Sequence, residues 1–357
     1  MRNLFICHSQ AHLILASGLT RGRFKDDSNH LILFRDFNLK DELREKLTRV
    51  FDTCLFLEGT FPASENGSFQ ARMRWHREDN RLIKVHVKQP YDRVFAVCDW
   101  TPPVQYALRR CYDLNQATEF LWLEDGILAY FPNAVITKGA DRFAFTMLLR
   151  MIYFKYIKGM GKIYDRDFDA MGGLSVFKKA YVLYPEAVRE PYRSKKEIVG
   201  IADEEYIGGL NALYERRELG IPDNSILLVM DKLDTYSYPE KVQNAIANLK
   251  IEAEKAGQKI FCKFHPRENE AWSVFDDCTR LDNTIGAESM YLSLADRKES
   301  VQVIGVKSAG LMSARKMGFN VFSLFKKSGE INPNLELFYR KIGIIVEEQP
   351  TSGLVRE

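Results

Sequence analysis

The chain predicts an α/β fold built as two Rossmann-like domains with an inter-domain cleft. Three observations predict it. Short apolar runs alternate with longer amphipathic stretches, the same rhythm restarts in the C-terminal third, and 357 residues exceed one ordinary domain. The first series of runs is NLFIC (3–7), HLILF (30–34), CLFL (54–57), RVFAVC (93–98) and EFLWL (119–123). The second is SILLVM (225–230), KIFCKF (259–264), VQVIGV (301–306) and NVFSLF (320–325). Runs this apolar, separated by enough polar or helically spaced sequence for a crossover helix, read as parallel strands covered on both faces. Charge, Pro and turn residues concentrate in 186–222, which places the division between units of 1–190 and 191–357. In open parallel sheets ligands lie beyond the C-terminal strand ends, so the site is expected in the cleft.

Composition narrows the function. With 51 basic and 48 acidic residues the net charge is +3, too balanced for general nucleic-acid binding. Six histidines are few and scattered, and no metal site is expected. Cys7, Cys54, Cys98, Cys111, Cys262 and Cys278 form no C-x-x-C pair and read as free thiols in a reducing cytoplasm. The start, MRNLFICHSQAHLIL, is broken by His8, Ser9, Gln10 and His12 and lacks the apolar core of a signal peptide. No run reaches the roughly 18 apolar residues of a membrane span. A cytoplasmic protein is expected. The basic, aromatic segment 142–162 is compatible with peripheral contact to the inner membrane face, or with a helix packed on its sheet.

Three places carry polar groups directly after apolar runs. In FLWLEDGILAY (120–130), Glu124 and Asp125 precede Gly126; adjacent carboxylates share an environment that can raise one toward use as a general base. In KIFCKFHPRENE (259–270), Pro266 restricts His265 to extended backbone, and Lys263 and Arg267 stand nearby, a composition suited to a nucleotide phosphate. In VIGVKSAGLMSARKMG (303–318), Lys307, Ser308, Ala309 and Gly310 form a strand-to-helix turn whose free N–H groups and hydroxyl suit an anion. Asp231 and Lys232, after the first strand of the second series, are positional candidates for donor contacts. Ser9, Gln10 and His12 after the first strand, with Trp100, are candidates for acceptor contacts.

The order of these motifs resembles that of bacterial sialyltransferases, most closely the capsule α-2,8-polysialyltransferases. The resemblance rests on Glu124-Asp125-Gly126, Lys263-Phe264-His265-Pro266 and Ile304-Gly305 followed by Ser308, and extends to VFAVCDWTPPVQYALRR (94–110). It implies a GT-B fold and inverting, metal-independent transfer of sialic acid from a CMP-activated donor, with no cofactor, to an acceptor glycan or glycolipid. It makes the N-terminal domain the acceptor and base domain and the C-terminal one the CMP-sugar domain. Asp125 would deprotonate the acceptor with Glu124 in support, and His265 and Ser308 would contact the CMP phosphate. The family's serine-rich turn is reduced here to Ser308, which leaves a related nonulosonic acid open as donor.

Two other readings stay open. A CDP-alditol phosphotransferase would use a histidine in the first domain, where His8 and His12 stand. A non-catalytic glycan- or nucleotide-binding protein would keep the fold without turnover. A basic groove for an anionic product has candidates in Arg72, Arg74, His76, Arg77, Arg81, Lys84, Lys88, Arg193, Lys195 and Lys196, which read equally as solvated faces.

Overall fold

The computed structural model describes residues 1–59, 69–130, 148–149, 152–157, 160–168, 170–265, 268, 272–330 and 332–346, and of residues 69–73, 154 and 157 the backbone alone. The chain divides into two compact units, Met1–Leu213 and Tyr214–Glu357. In the first, strands β1 (Arg2–Cys7), β2 (Ser28–Phe34), β3 (Thr53–Leu57), β4 (Arg93–Ala96), β5 (Glu119–Leu123), β6 (Phe177–Val182) and β7 (Glu197–Gly200) form one sheet in the order β3-β2-β1-β4-β5-β6-β7. Every pairing is parallel. Between the strands run α1 (Gln10–Arg21), α2 (Asp41–Val50), α3 (Phe69–His86), α4 (Pro102–Leu114) and α5 (Glu190–Arg193), with α6 (Asp203–Leu213) after the last.

The second unit repeats the plan. Its strands β8 (Ser225–Val229), β9 (Lys259–Lys263), β10 (Thr279–Arg280), β11 (Val301–Gly305), β12 (Asn320–Ser323) and β13 (Ile345–Val346) lie in the order β10-β9-β8-β11-β12-β13. All are parallel. Helices α7 (Pro239–Lys255), α8 (Ala287–Ser293), α9 (Ala309–Lys316) and α10 (Pro333–Lys341) connect them. In each sheet the winding direction reverses beside the unit's first strand, between β1 and β4 and between β8 and β11. These are the switch points at which such sheets bind ligands.

The apolar runs are strands because they are buried on both faces. From Leu4 to Cys7 no residue is more than 1% exposed, and Phe5 stacks on Phe95 of β4 with ring centres 4.5 Å apart. In the second unit Ile226, Leu228, Cys262, Phe264, Ile304 and Phe322 share one core with Val242, Ile246 and Leu249 of α7.

The division falls after Leu213, later than the expected 190. The proline- and charge-rich stretch around 185–196 is the turn and short helix α5 that lead from β6 into β7, and β7 pairs with β6 from Lys179–Glu197 to Val182–Gly200. Residues 191–213 therefore complete the first unit. Helix α6 then packs on α1 at a contact that only glycine permits. A Cβ at Gly209 would lie 2.0 Å from the Ile14 carbonyl oxygen, and one at Gly18 would lie 2.1 Å from that of Glu205. Arg23 fixes the crossing from outside, donating to both carboxylate oxygens of Glu205 and to the Gly200 carbonyl.

Gly209→Ala is expected to destabilise the first unit by about 1–3 kcal/mol, the usual cost of forcing a methyl into a filled contact. Urea unfolding reads this as a lowered midpoint; an unchanged midpoint would mean that the two helices do not cross this closely.

Candidate active site

The first unit assembles its polar groups at the tips of β1, β4 and β5. Ser9, two residues beyond β1, caps α1, its Oγ accepting the His12 N–H at 3.3 Å. That turns the His12 ring back over the strand tip. Its Nδ1 accepts the His8 N–H at 3.2 Å, so the ring proton resides on Nε2, which meets Asp125 Oδ1 at 2.9 Å. His8 Nδ1 meets Asp36 Oδ2 at 2.9 Å, and the His8 ring stacks on Phe34 with centres 4.7 Å apart. Burial draws the His8 pKa down despite Asp36.

The adjacent carboxylates have opposite surroundings. Glu124 is 1% exposed. Its N–H donates to the Tyr181 carbonyl, and its Oε2 accepts the Leu183 N–H at 2.9 Å and the Tyr130 hydroxyl. Tyr130 Oη in turn accepts the Tyr184 N–H at 3.1 Å. Burial and Glu124 hold the phenol far above its ordinary pKa, so it remains a donor. Glu124 thus ties β5 to the segment after β6. Gly126, at φ +53°, turns the chain so that the Asp125 side chain is 28% exposed. Burial alone would raise the Asp125 pKa; the His12 hydrogen bond, with the two neighbouring imidazoles, outweighs it and holds the carboxyl below its ordinary 3.8.

Of the other acceptor candidates, Ser9 is half-buried and Gln10 exposed. Trp100 is half-buried, with the Arg166 guanidinium 5.7 Å above its ring. Arg166 pairs at 3.2 Å with Asp99, which is fully buried and also accepts the Leu174 N–H at 3.2 Å.

In the second unit the candidates gather at the tips of β8, β9 and β11. Asp231 straps the β8/β11 switch point: its Oδ2 accepts the Lys307 N–H at 3.3 Å and the Tyr236 hydroxyl at 3.1 Å. Burial raises its pKa in spite of both bonds. Lys307 donates Nζ to the Thr235 carbonyl at 2.8 Å, pairs with Glu330 at 3.4 Å and lies 5.1 Å over the Tyr236 ring. Lys232 pairs with Asp234. Ser308 caps α9, its Oγ accepting the Gly310 N–H at 3.3 Å. Ala309 is exposed and Gly310 buried. A Cβ at Gly310 would lie 3.2 Å from the Tyr291 hydroxyl, which is buried without a hydrogen-bond partner among the described residues.

His265 is half-buried, and its carbonyl accepts the Glu268 N–H at 3.0 Å; Glu268 Oε2 accepts the Leu233 N–H at 2.5 Å, bracing the β9 tip to the β8 tip. Lys263 departs from the phosphate-binding expectation. It is 3% exposed, and its Nζ donates to the carbonyls of Phe264 at 2.6 Å and Asn283 at 3.4 Å. Burial lowers its pKa. The ammonium fastens the strand end from below. Pro266 and Arg267 lie outside the described residues.

The sequence pattern gave no sign of Tyr291, nor of Glu288, whose Oε1 accepts the Ser313 hydroxyl at 3.1 Å beside α9. Both sit on the short helix α8, in GAESMY, which carries no motif. The basic-groove candidates disperse. Lys196 is buried and donates to the carbonyls of Leu174 and Phe177, both at 2.9 Å. Arg193 donates to those of Val188 and Pro185, and Arg81 pairs with Glu78 on the solvated face of α3. The side chain of Arg72 lies outside the described residues, as do Arg142, Arg150 and Lys158 of the 142–162 segment. Among the described residues no group of three or more His, Cys, Asp or Glu is placed to hold a metal ion.

Two parallel Rossmann-type sheets with polar strand tips constitute the GT-B fold of nucleotide-sugar enzymes, and solved structures share it. An α/β-galactoside α-2,3-sialyltransferase of Photobacterium phosphoreum is 9% identical, with TM-score 0.55 over 96% of this chain and 97% of that one. The UDP-GlcNAc 2-epimerase of Methanocaldococcus jannaschii is 13% identical, with TM-score 0.55 over 97% and 92%. That of Neisseria meningitidis is 12% identical, with TM-score 0.52 over 97% and 95%. Identities this low establish the fold alone. No curated protein sequence matches. The family profile of alpha-2,8-polysialyltransferase (POLYST) matches residues 3–321, and the chain belongs to that family. It is a sialyltransferase.

Loss of His12 leaves burial to dominate Asp125. Because pairing depresses this carboxyl, its stabilising contribution is present above the ordinary 3.8 and fades as pH falls through the depressed value. In His12→Ala the Asp125 pKa rises, so the acidic limb of the kcat/KM–pH profile is expected to move to higher pH. An unmoved limb would show that the pair does not set the ionisation that activity requires.

Proposed function

We propose that this sialyltransferase moves sialic acid, or a related nonulosonic acid, from a CMP-activated donor to a glycan or glycolipid acceptor of a capsule or other surface polysaccharide, with inversion and with neither metal nor cofactor. The observation that carries the reading is the His12–Asp125 pair. Asp125 is the more exposed member, ionised near neutral pH and oriented by a neighbour whose own two ring nitrogens are both engaged. A partly exposed, fixed carboxylate suits removal of a proton from an acceptor hydroxyl. His12 is 5% exposed. It is thereby better suited to positioning Asp125 than to acting as the histidine base that an alditol phosphotransferase would need.

In this mechanism the acceptor oxygen attacks the anomeric carbon of the donor while its proton passes to Asp125. The bond from that carbon to the CMP phosphate oxygen breaks, and CMP leaves with the electron pair. Charge gathers on the phosphate, so groups aimed at it accelerate the step. The Ser308 turn opens α9 at the tip of β11, where a helix start favours an anion, and the buried Tyr291 hydroxyl lies beside Gly310 of that turn. His265, on the braced β9 tip, would donate a proton or hydrogen bond to the departing phosphate. Glu124 and Lys263 act on geometry alone, as buried ties beneath these tips.

Peripheral attachment at the inner face of the cell membrane belongs to the same proposal. Leu148, Leu149, Ile152 and Tyr156 are 52, 49, 41 and 71% exposed. Large apolar side chains this exposed suit contact with a lipid surface. Among the described residues no helix is long and apolar enough to cross a membrane.

Release of CMP from CMP-N-acetylneuraminic acid, followed with EDTA present, tests the reading. Wild type is expected to turn over, and Asp125→Asn and His265→Ala to lose at least about a hundredfold in kcat while remaining folded, the usual yield of a general acid or base. If wild type neither binds nor cleaves this donor, the CMP-sialic acid assignment fails.

A further inference from the structure

The second unit holds a thiol pair that the transferase mechanism does not use. Cys262 lies in β9 at 0% exposure, and Cys278 immediately precedes β10 and is half-buried. The β9–β10 register sets Thr279 against Phe261 and Arg280 against Cys262, and the Leu281 N–H donates to the Cys262 carbonyl at 2.9 Å. The two segments thus run side by side, and Cys278 packs against the same apolar cluster that holds Cys262. Lys250 and Arg280 lie near them, with Asp277 opposing their charge. Lys250 of α7 donates Nζ to the Val274 carbonyl at 3.0 Å and pairs with Asp277, the residue before Cys278. The Arg280 guanidinium lies 5.4 Å over the Phe264 ring.

The two sulfurs are chemically unequal. The neighbouring Cys262 thiol lowers the Cys278 pKa to about 7, burial opposing and Lys250 assisting. Cys278, with burial, raises that of Cys262. Burial holds the other half-buried thiols, Cys54 and Cys98, up at about 12. Cys111 and Cys7 are fully buried and raised as well. Reactivity follows the thiolate, so one cysteine of the six stands out at neutral pH.

We infer that Cys278 and Cys262 form a redox-modifiable pair, with Cys278 the nucleophile and Cys262 the resolving thiol, which closes into a disulfide on exchange with a low-molecular-weight disulfide such as oxidised glutathione. The Cys278 thiolate attacks one sulfur of the glutathione disulfide; a mixed disulfide forms and one glutathione leaves as thiolate. The Cys262 thiol gives its proton to that leaving thiolate and attacks Cys278 Sγ, expelling the second glutathione. Two protein thiols lose two electrons, and one glutathione disulfide becomes two thiols. The product would tie β9 to β10 one residue before Lys263 and three before His265.

The test treats the folded full-length protein with oxidised glutathione at pH 7, quenches it in acid and maps its peptides by mass spectrometry. A Cys262–Cys278 cross-linked peptide that dithiothreitol reverses is the expected product in wild type. Cys262→Ala is expected to stop at a glutathione adduct on Cys278, and Cys278→Ser to form neither species. In the absence of oxidant, Cys278 is expected to react with iodoacetamide at least about tenfold faster than Cys54 or Cys98. Modification of Cys54 or Cys98 ahead of Cys278, or a lasting glutathione adduct in wild type without the cross-link, would overturn the assignment.

Discussion

The hydrogen bond from His12 to Asp125 is the constraint around which the first unit is arranged. It joins the first turn of α1 to the tip of β5, across two strand spacings and 113 positions of sequence, at 2.9 Å. Neither group could hold that geometry alone. His12 is oriented by the N–H of His8 and by the helix start that Ser9 caps. Asp125 is oriented by Glu124, a carboxylate buried one residue earlier, which is affordable there because a backbone N–H and a phenol satisfy it. Behind α1, the glycine contact with α6 fixes how close the helix lies to the rest of its unit. A methylene of movement in that contact would be felt at the pair.

The second unit uses the same device for another chemistry. Asp231 binds the tips of β8 and β11 through a backbone N–H and a phenol, as Glu124 binds the tips of β5 and β6. Glu268 and Lys263 brace the β9 tip. Buried charges here carry structure, while the groups left accessible, Asp125, His265 and the Ser308 turn, are those suited to substrate. In both units one acidic residue is satisfied internally so that a neighbouring group is held in place.

How much was legible in the sequence follows from what each element buries. The nine strands read from apolar runs are present, since strands covered on both faces leave continuous hydrophobic sequence. The strands β6 and β7 left weaker marks. In β6 Lys178 and Lys179 interrupt the apolar run, and β7 is a half-buried edge strand of four residues. That is why the turn before β7 resembled a boundary and why the division lies later, after Leu213. The strands β10 and β13 have two residues each, too few for a pattern. The motif positions were visible because strand tips in this fold carry polar groups. Which members face a ligand was not. Glu124 and Asp125 differ in burial through Tyr130 and Leu183, partners distant in sequence or unmarked by type, and Lys263 is recognisably structural only once the carbonyls around it are placed. Tyr291 and Glu288 are brought beside α9 by the α8 turn, which no local signal announces.

The claim that His12 acts on the reaction through Asp125 is tested most directly by a double-mutant cycle on kcat/KM for CMP-sialic acid turnover, using His12→Ala, Asp125→Asn and the two combined. If the pair is one functional unit, the double variant will be no slower than Asp125→Asn alone. Losses that multiply, each substitution costing the same factor whether or not the other is present, would contradict the account and give His12 a separate role.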